Sequence, residues 1–358
     1  MTINLLTFDQ AIRDSDRFPK RHLLIGNGFS IGCRPNIFQY ASLYDQADFT
    51  DYPEIPSVFE RLGTQDFEEA IRALESASRL FTMYAPDTAA GQAKMREHAA
   101  ALREILVETV ARNHPENPNS LDEDEIWSCR RFLKHFLCDK DGHVFTLNYD
   151  LLLYWTLMNE GNPFDTEPFE LRKNDSFGND EDDPDTEYVV WQGETAAHTA
   201  NIHFLHGALH LFDAGAELQK YTWIRSGVPL IDQTRAAIEA DKFPLFIAEG
   251  TSTQKKSRIR HNAYLYQSFK VLTANALQAN HCFFVFGHSL AESDEHILKR
   301  LGHGRFKKLY VSLFGDTNSA TNREIIRRAN ELSAMRSRRN PLEIAFFDAA
   351  SANVWRDA

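Results

Sequence analysis

The chain has 358 residues, 43% of them hydrophobic and 25% charged, with a formal net charge of −12 and a pI near 5.6. A chain of this length buries about three quarters of its unfolded surface and needs no disulfide or metal staple. The excess of acid excludes broad attraction to nucleic acid, and no apolar run approaches the ~20 residues that span a bilayer.

Residues 1–20 carry acids and lack the apolar core of a secretory signal. Cys33, Cys129, Cys138 and Cys282 are too scattered for a C-x-x-C pair. The expectation is therefore a cytoplasmic protein with free thiols. The run His22-Leu23-Leu24-Ile25 reads as the first buried strand and ends at the turn Gly26-Asn27-Gly28-Phe29-Ser30. Residues 57–110 then read as mostly helical. Phe67, Ala70, Ile71 and Leu74 recur at the spacing of a helix face, and Leu102, Ile105, Leu106 and Val110 repeat it. Residues 126–137 give a further helix. No strand signal interrupts the block, so 57–138 reads as a helical insertion within a single domain spanning 1–358.

Strands and helices then alternate. A strand at 143–146 runs into Thr146-Leu147-Asn148-Tyr149-Asp150 and a helix at 151–159. The acidic run 174–187 reads as a solvated loop, lacking the spaced ligands and fixed glycine of a calcium loop. Strands near 202–206 and 208–213, forming a hairpin around Gly207, put His206-Gly207 at a strand end. A strand at 244–248, a helix at 260–279 and a strand at 281–286 lead to Gly287-His288-Ser289-Leu290. A helix at 293–301, a strand at 308–313, a helix at 319–335 and a strand at 342–347 follow. This alternation predicts an α/β, Rossmann-like doubly wound fold with a largely parallel sheet. In such sheets the strand-end loops share one ligand crevice, so the four polar motifs predict one composite site.

The chemistry of each motif has a functional and a structural reading. The glycines at 26 and 28 allow a sharp turn with amides and the Ser30 hydroxyl open to a pyrophosphate, or they simply make a tight turn. Asn148 can donate to and accept from ribose hydroxyls or a water. Asp150 is a site group or the cap of the helix that follows. His206 suits acid–base work on a hydroxyl or water, or is a core histidine. His198, His203, His206 and His210 raise a metal question, but strand alternation sends His203 and His206 to opposite faces, against a shared ion. Ser289 and Asp294 could hold the hydroxyls of a nucleotide ribose, or the turn simply leads into a capped helix with Ser293 or Asp294 at its start. The segment Glu249-Gly250-Thr251-Ser252-Thr253-Gln254-Lys255-Lys256 either closes over a phosphate-bearing ligand or is a solvated loop entering a helix.

Taken together, G-N-G-F-S, T-L-N-Y-D, H-G and G-H-S-L resemble, in order, the motifs of the sirtuin-like NAD-consuming superfamily. The T-x-N-Y-D form, with Asp294 after the last turn, looks more like its bacterial branch, which supplies NAD-hydrolysing effectors to antiphage systems such as Thoeris. Phe38-Gln39-Tyr40-Ala41-Ser42-Leu43 and the E-G-T-S run at 249–252 match a bacterial family within that branch. The resemblance covers roughly residues 20–350. It implies an NAD glycohydrolase releasing nicotinamide and ADP-ribose or a cyclic product, or, in a different class, a nucleotide sensor without turnover. By resemblance Asn148, His206 and Asp150 are catalytic. Gly26, Gly28 and Ser30 hold the pyrophosphate, Ser289 and Asp294 lie toward the adenosine, and Asn27, Thr146 and Gly287 are further cofactor-binding residues. Deacylating sirtuins carry two C-x-x-C pairs for zinc and a P-D-F-R segment. This chain has neither pair, and Cys33-Arg34-Pro35-Asn36 in place of the segment, so no zinc and no deacylation are expected. NAD is the implied ligand. A partner protein or a homo-oligomer fits an effector that stays latent until triggered, and neither nucleic acid nor membrane is an expected partner.

Overall fold

The apolar runs become the centre of a seven-stranded parallel sheet. The computed structural model describes residues 4–84, 89–159, 169–183, 185–215, 217–222, 227–240, 242–247 and 252–356. Twelve strands are present among them: β1 (Leu5–Leu6), β2 (Lys20–Ile25), β3 (Val144–Thr146), β4 (Phe177–Gly178), β5 (Tyr188–Trp191), β6 (Ile202–Phe204), β7 (Gly207–Asp213), β8 (Leu218–Tyr221), β9 (Pro244–Phe246), β10 (His281–Phe286), β11 (Lys308–Leu313) and β12 (Glu343–Asp348). The large sheet has the order β1-β12-β11-β10-β2-β3-β6, all neighbours parallel. The chain winds outward from β2 through β3 to β6, then returns to β10 on the other side of β2 and winds through β11 to β12. The fold is thus Rossmann-like and doubly wound, with its switch point between β2 and β10.

Burial on both faces explains why the central strands read as unbroken apolar runs. Every residue of β10 is buried. Phe284 and Phe286 face one layer, meeting Phe136 and Phe132 of helix Glu123–Leu137 at ring separations of 5.3 and 5.0 Å. Phe283 faces the other, 4.7 Å from Phe306. The helix faces read from periodicity are also buried: Phe67, Ala70, Ile71 and Leu74 on helix Phe67–Tyr84, and Leu102, Ile105, Leu106 and Val110 on helix Ala89–Asn113. These two helices pack along each other beside the sheet's carboxyl edge. Helix Glu123–Leu137 covers the sheet, so it belongs to the sheet's helical layer as much as to the insertion.

Several expectations are corrected. Strand β1 and helix Phe8–Ser15 precede the strand read as first; the helix starts in a capping box between Thr7 and Gln10. The expected hairpin at Gly207 does not form. Strand β6 stays in the parallel sheet, and β7 enters a second, antiparallel sheet of order β4-β5-β8-β7-β9. The change of sheet turns on Gly207, at φ +80°, where an added Cβ would lie 1.9 Å from the Leu245 carbonyl oxygen. Both the left-handed backbone and the contact with β9 demand glycine. Gly207→Ala is expected to lower the unfolding free energy by about 3 kcal/mol or more in denaturant melts. The helix read at 260–279 is two, Ser252–His261 and Ala263–Ala276, because the Asn262 side chain caps the second by accepting from the Leu265 N–H at 3.1 Å. The acidic run is not wholly solvated: Asp175 pairs with the buried Lys220 at 2.5 Å, and β4 lies within the run. Of the E-G-T-S segment, 249–251 lie outside the described residues. The four cysteines are unpaired. No described helix is long and apolar enough to cross a membrane.

Candidate active site

The loops after β2, β3, β6, β10, β11 and β12 surround one cavity of about 1010 Å³ at the carboxyl edge of the parallel sheet. That is the upper end of the range for small-molecule sites. The insertion closes one side of it with Asp66, Glu68 and Arg72, so the helical block caps the site. Gly26, Asn27, Gly28, Asn148, Asp150, His206, Gly287, Ser289 and Asp294 all line this cavity. Ser30 and Thr146 lie behind the wall, where neither is more than 1% exposed.

The switch point explains the glycines. The amides of Gly26 and Gly28 donate to the carbonyls of Phe286 and Gly287 at 3.0 and 2.7 Å. A Cβ on Gly26 would fall 2.7 Å from His288, and one on Gly28 2.7 Å from the Gly287 Cα. These two amides are therefore not open to a pyrophosphate; the glycines let the loops after β2 and β10 meet and floor the cavity. The second loop is strained. Gly287 has φ +66° and the buried Leu290 φ +57°, an uncommon conformation for a γ-branched residue. The Leu290 N–H donates to His288 Nδ1 at 2.8 Å, which helps hold that turn.

Behind Asn148 is a locked chain of side chains. The Ser30 hydroxyl donates to Asp150 Oδ2 at 2.5 Å and accepts from Asn148 Nδ2 at 2.8 Å. The other Asp150 oxygen accepts from the Leu152 N–H at 3.0 Å, so this carboxylate is fixed at the entry to helix Leu152–Met158, although the N-cap residue itself is Leu151. Burial raises the Asp150 pKa, against the lowering effect of the Ser30 bond. Thr146 Oγ1 accepts from the Asn148 backbone N–H at 3.0 Å. Ser30 and Thr146 thus orient Asn148 instead of touching a ligand, and the Asn148 amide oxygen is the group left to work in the cavity.

Around His206 lies a buried charge cluster that sequence reading did not assemble. Its Nε2 stands 3.3 Å from Nε2 of His296 and 3.8 Å from Asp294 Oδ1. Asp294 accepts from Lys255 Nζ at 3.2 Å and from His288 Nε2 at 3.1 Å. Lys255, fully buried, also donates to Glu68 Oε2 of the insertion at 2.8 Å. Burial alone would push Asp294 up, but the Lys255 charge and the His288 bond hold it well below the usual carboxylate range. Burial pushes Glu68 up to about 7 against the pull of Lys255. Burial, with Lys255 nearby, depresses His206 well below the usual histidine value, so its imidazole is neutral.

Two expectations change here. Asp294 sits beside His206, and both its oxygens already have partners, so it supports the histidine instead of gripping the adenosine ribose. Lys255 is sealed between two carboxylates and is not free for a phosphate. The histidines at 203, 206 and 210 go to separate neighbours: His143, His296 and the Tyr154 ring. His206, Asp294 and His296 do bring one ligand atom each within 4.8 Å. Two features oppose an ion there. Lys255 already supplies positive charge to the same carboxylate oxygen. The imidazoles also meet head to head, their centroids 5.4 Å apart and planes 19° from parallel. A tetrahedral ion would need nitrogen lone pairs that converge on it at about 109°, whereas these meet nearly end to end. The sequence signal for the cluster was slight: a lysine in a flagged loop and two histidines flanking Asp294.

A protein-family profile described as a domain of unknown function, DUF4917, matches residues 23–355. The chain belongs to this family. The matched span holds both sheets except β1 and the first three residues of β2, together with the insertion and all four polar motifs, so it covers the whole candidate site. No curated protein matches the chain.

Proposed function

We propose that the chain is a glycohydrolase that cleaves the bond between nicotinamide and ribose in NAD. The observation that carries the reading is the meeting of Asn148 and His206, distant in the chain, in one dinucleotide-sized cavity at the switch point, with His206 held neutral. In this reading the C–N bond breaks with its electron pair leaving on nicotinamide, and the ribose becomes oxocarbenium-like. Asn148, fixed through Ser30 and Asp150, orients a ribose hydroxyl or the attacking water. His206 takes the proton as the water oxygen bonds to the ribose carbon. The resemblance to antiphage NAD hydrolases adds the proposal of a defence effector, latent until triggered.

The test is nicotinamide release from NAD, followed by chromatography over a range of protein concentrations. Asn148→Ala and His206→Ala are each expected to lower release at least about 100-fold while leaving the melting curve cooperative. Wild-type turnover in both variants would overturn the role assignment.

A further inference from the structure

We propose that His206 and His296 form a two-histidine proton relay, in which His296 is the positioning residue that receives the proton His206 takes from the attacking water. The inference rests on the glycohydrolase reading and adds a residue that none of the motifs contains.

The geometry is that of a shared proton. The two rings are nearly coplanar, and the centroid separation of 5.4 Å is close to the 3.3 Å between nitrogens plus one ring radius on each side. The Nε2 lone-pair directions therefore point at each other, and one nitrogen must carry a proton for the contact to be attractive. His296 Nδ1 stands 3.4 Å from the Ser252 hydroxyl, whose oxygen can accept from it. With Nε2 turned to His206, the relay places the N–H donor of His296 at Nδ1. Its Nε2 is then a lone pair, and the shared proton belongs to His206 Nε2. That leaves His206 Nδ1 as a lone pair, with no hydrogen-bond partner among the described residues. The side chain lines the cavity. An imidazole in this state accepts at one nitrogen while releasing at the other.

The step balances. Water loses a proton to His206 Nδ1 as its oxygen bonds to the ribose carbon and nicotinamide departs with the electron pair. The Nε2 proton of His206 moves to His296 Nε2. Hydrolysis of the cationic dinucleotide releases one proton overall, and His296 carries that proton transiently before solvent takes it. Asp294 has a carboxylate oxygen within 4.8 Å of the histidine nitrogens and offsets the charge, while burial, with Lys255 nearby, keeps both rings neutral at rest. Burial holds His296 at about 4.

The experiment compares two variants. The Gln side-chain oxygen in His296→Gln still accepts from His206 Nε2 and preserves its tautomer, but it cannot take the proton. His296→Phe removes both. The relay predicts that His296→Gln lowers kcat for nicotinamide release about 100-fold with KM for NAD within about two-fold of wild type. Full kcat in His296→Gln beside a loss in His296→Phe would mean that His296 only orients the ring, and would overturn the relay, as would full kcat in both. Ring-nitrogen NMR of the wild-type chain tests the same point without turnover. One proton coupled to both Nε2 nuclei is expected, and two unshared Nε2 protons or none would sink it. A wild type that releases no nicotinamide would overturn the glycohydrolase reading alone, and the spectrum would still decide the proton's place.

Discussion

The unfolding free energy is expected to fall steeply as the pH drops from about 6.5 to 4 and to be nearly flat just above 6.5. Burial holds His114, His143, His281 and His296 at about 4, and pushes His22, His203, His206 and His210 well below the ordinary 6.5. Four of these make a hydrogen-bonded file across the amino edge of the sheet. His22 Nε2 meets His281 Nδ1 at 2.9 Å, His22 Nδ1 accepts from the His143 N–H at 3.1 Å, and His143 Nδ1 meets His203 Nε2 at 3.0 Å. His114 Nε2 accepts from the Leu151 N–H at 3.0 Å, a bond that protonation would break. In the unfolded chain these imidazoles bind protons from about 6.5 downward, but the native state resists until near 4. Between those values the unfolded state holds more protons, so stability is lost as pH falls. Each histidine held near 4 accounts for up to about 3 kcal/mol. A few acting together match the whole stability of an ordinary domain, about 5–15 kcal/mol. Glu68, raised to about 7, works in the opposite direction, as do Asp66, Glu108 and Asp150, which burial also raises, but these are outnumbered by the eight histidines. Denaturant melts between pH 8 and 4.5 would measure this. An unchanged midpoint down to pH 5 would mean the histidines are already charged in the native state.

Lys255→Met is expected to destabilise the chain by about 3–5 kcal/mol and to abolish the nicotinamide release proposed above. The ammonium is fully buried between Glu68 and Asp294, and its pKa is raised because the two carboxylate charges outweigh the cost of burial. Removing it leaves two carboxylates close together with no cation between them, the situation in which breaking a buried pair is most costly. Asp294 would then draw a proton onto His206, which stands 3.8 Å away, and a protonated His206 is no base. The double variant Lys255→Met with Glu68→Leu should recover part of the stability, since His288 still donates to Asp294. A double-mutant cycle reads the coupling. A loss below about 1 kcal/mol in Lys255→Met would show that water, not protein, solvates these carboxylates.

The insertion is joined to the site through this same cluster, because Glu68 lies in the first turn of helix Phe67–Tyr84. Motion of that helix would change the partners of Lys255 and, through Asp294, of His206. A reading of the chain as latent until triggered thus has a physical element on which a trigger would act.

What the sequence determined by itself was whatever depends on neighbours along the chain. Strands β2, β10 and β11 were legible because burial on both faces leaves an unbroken apolar run. Helices Phe67–Tyr84 and Ala89–Asn113 were legible because one face repeats every 3.6 residues. The polar motifs stood at the ends of those strands, so their convergence at one sheet edge followed from the doubly wound order. Strand β1, with two residues, carries too little pattern to read, and β6 and β7 looked like a hairpin because only the partner β9 shows that Gly207 turns the chain into another sheet. Tertiary structure alone decided which polar groups lose water together. Lys255 finds Glu68 and Asp294 across long stretches of chain, His206 finds His296, and Ser30 finds Asn148 and Asp150. No local pattern encodes such pairs, since a charge or hydroxyl has the same preferences everywhere in the chain until burial removes water and leaves a particular neighbour as its only partner.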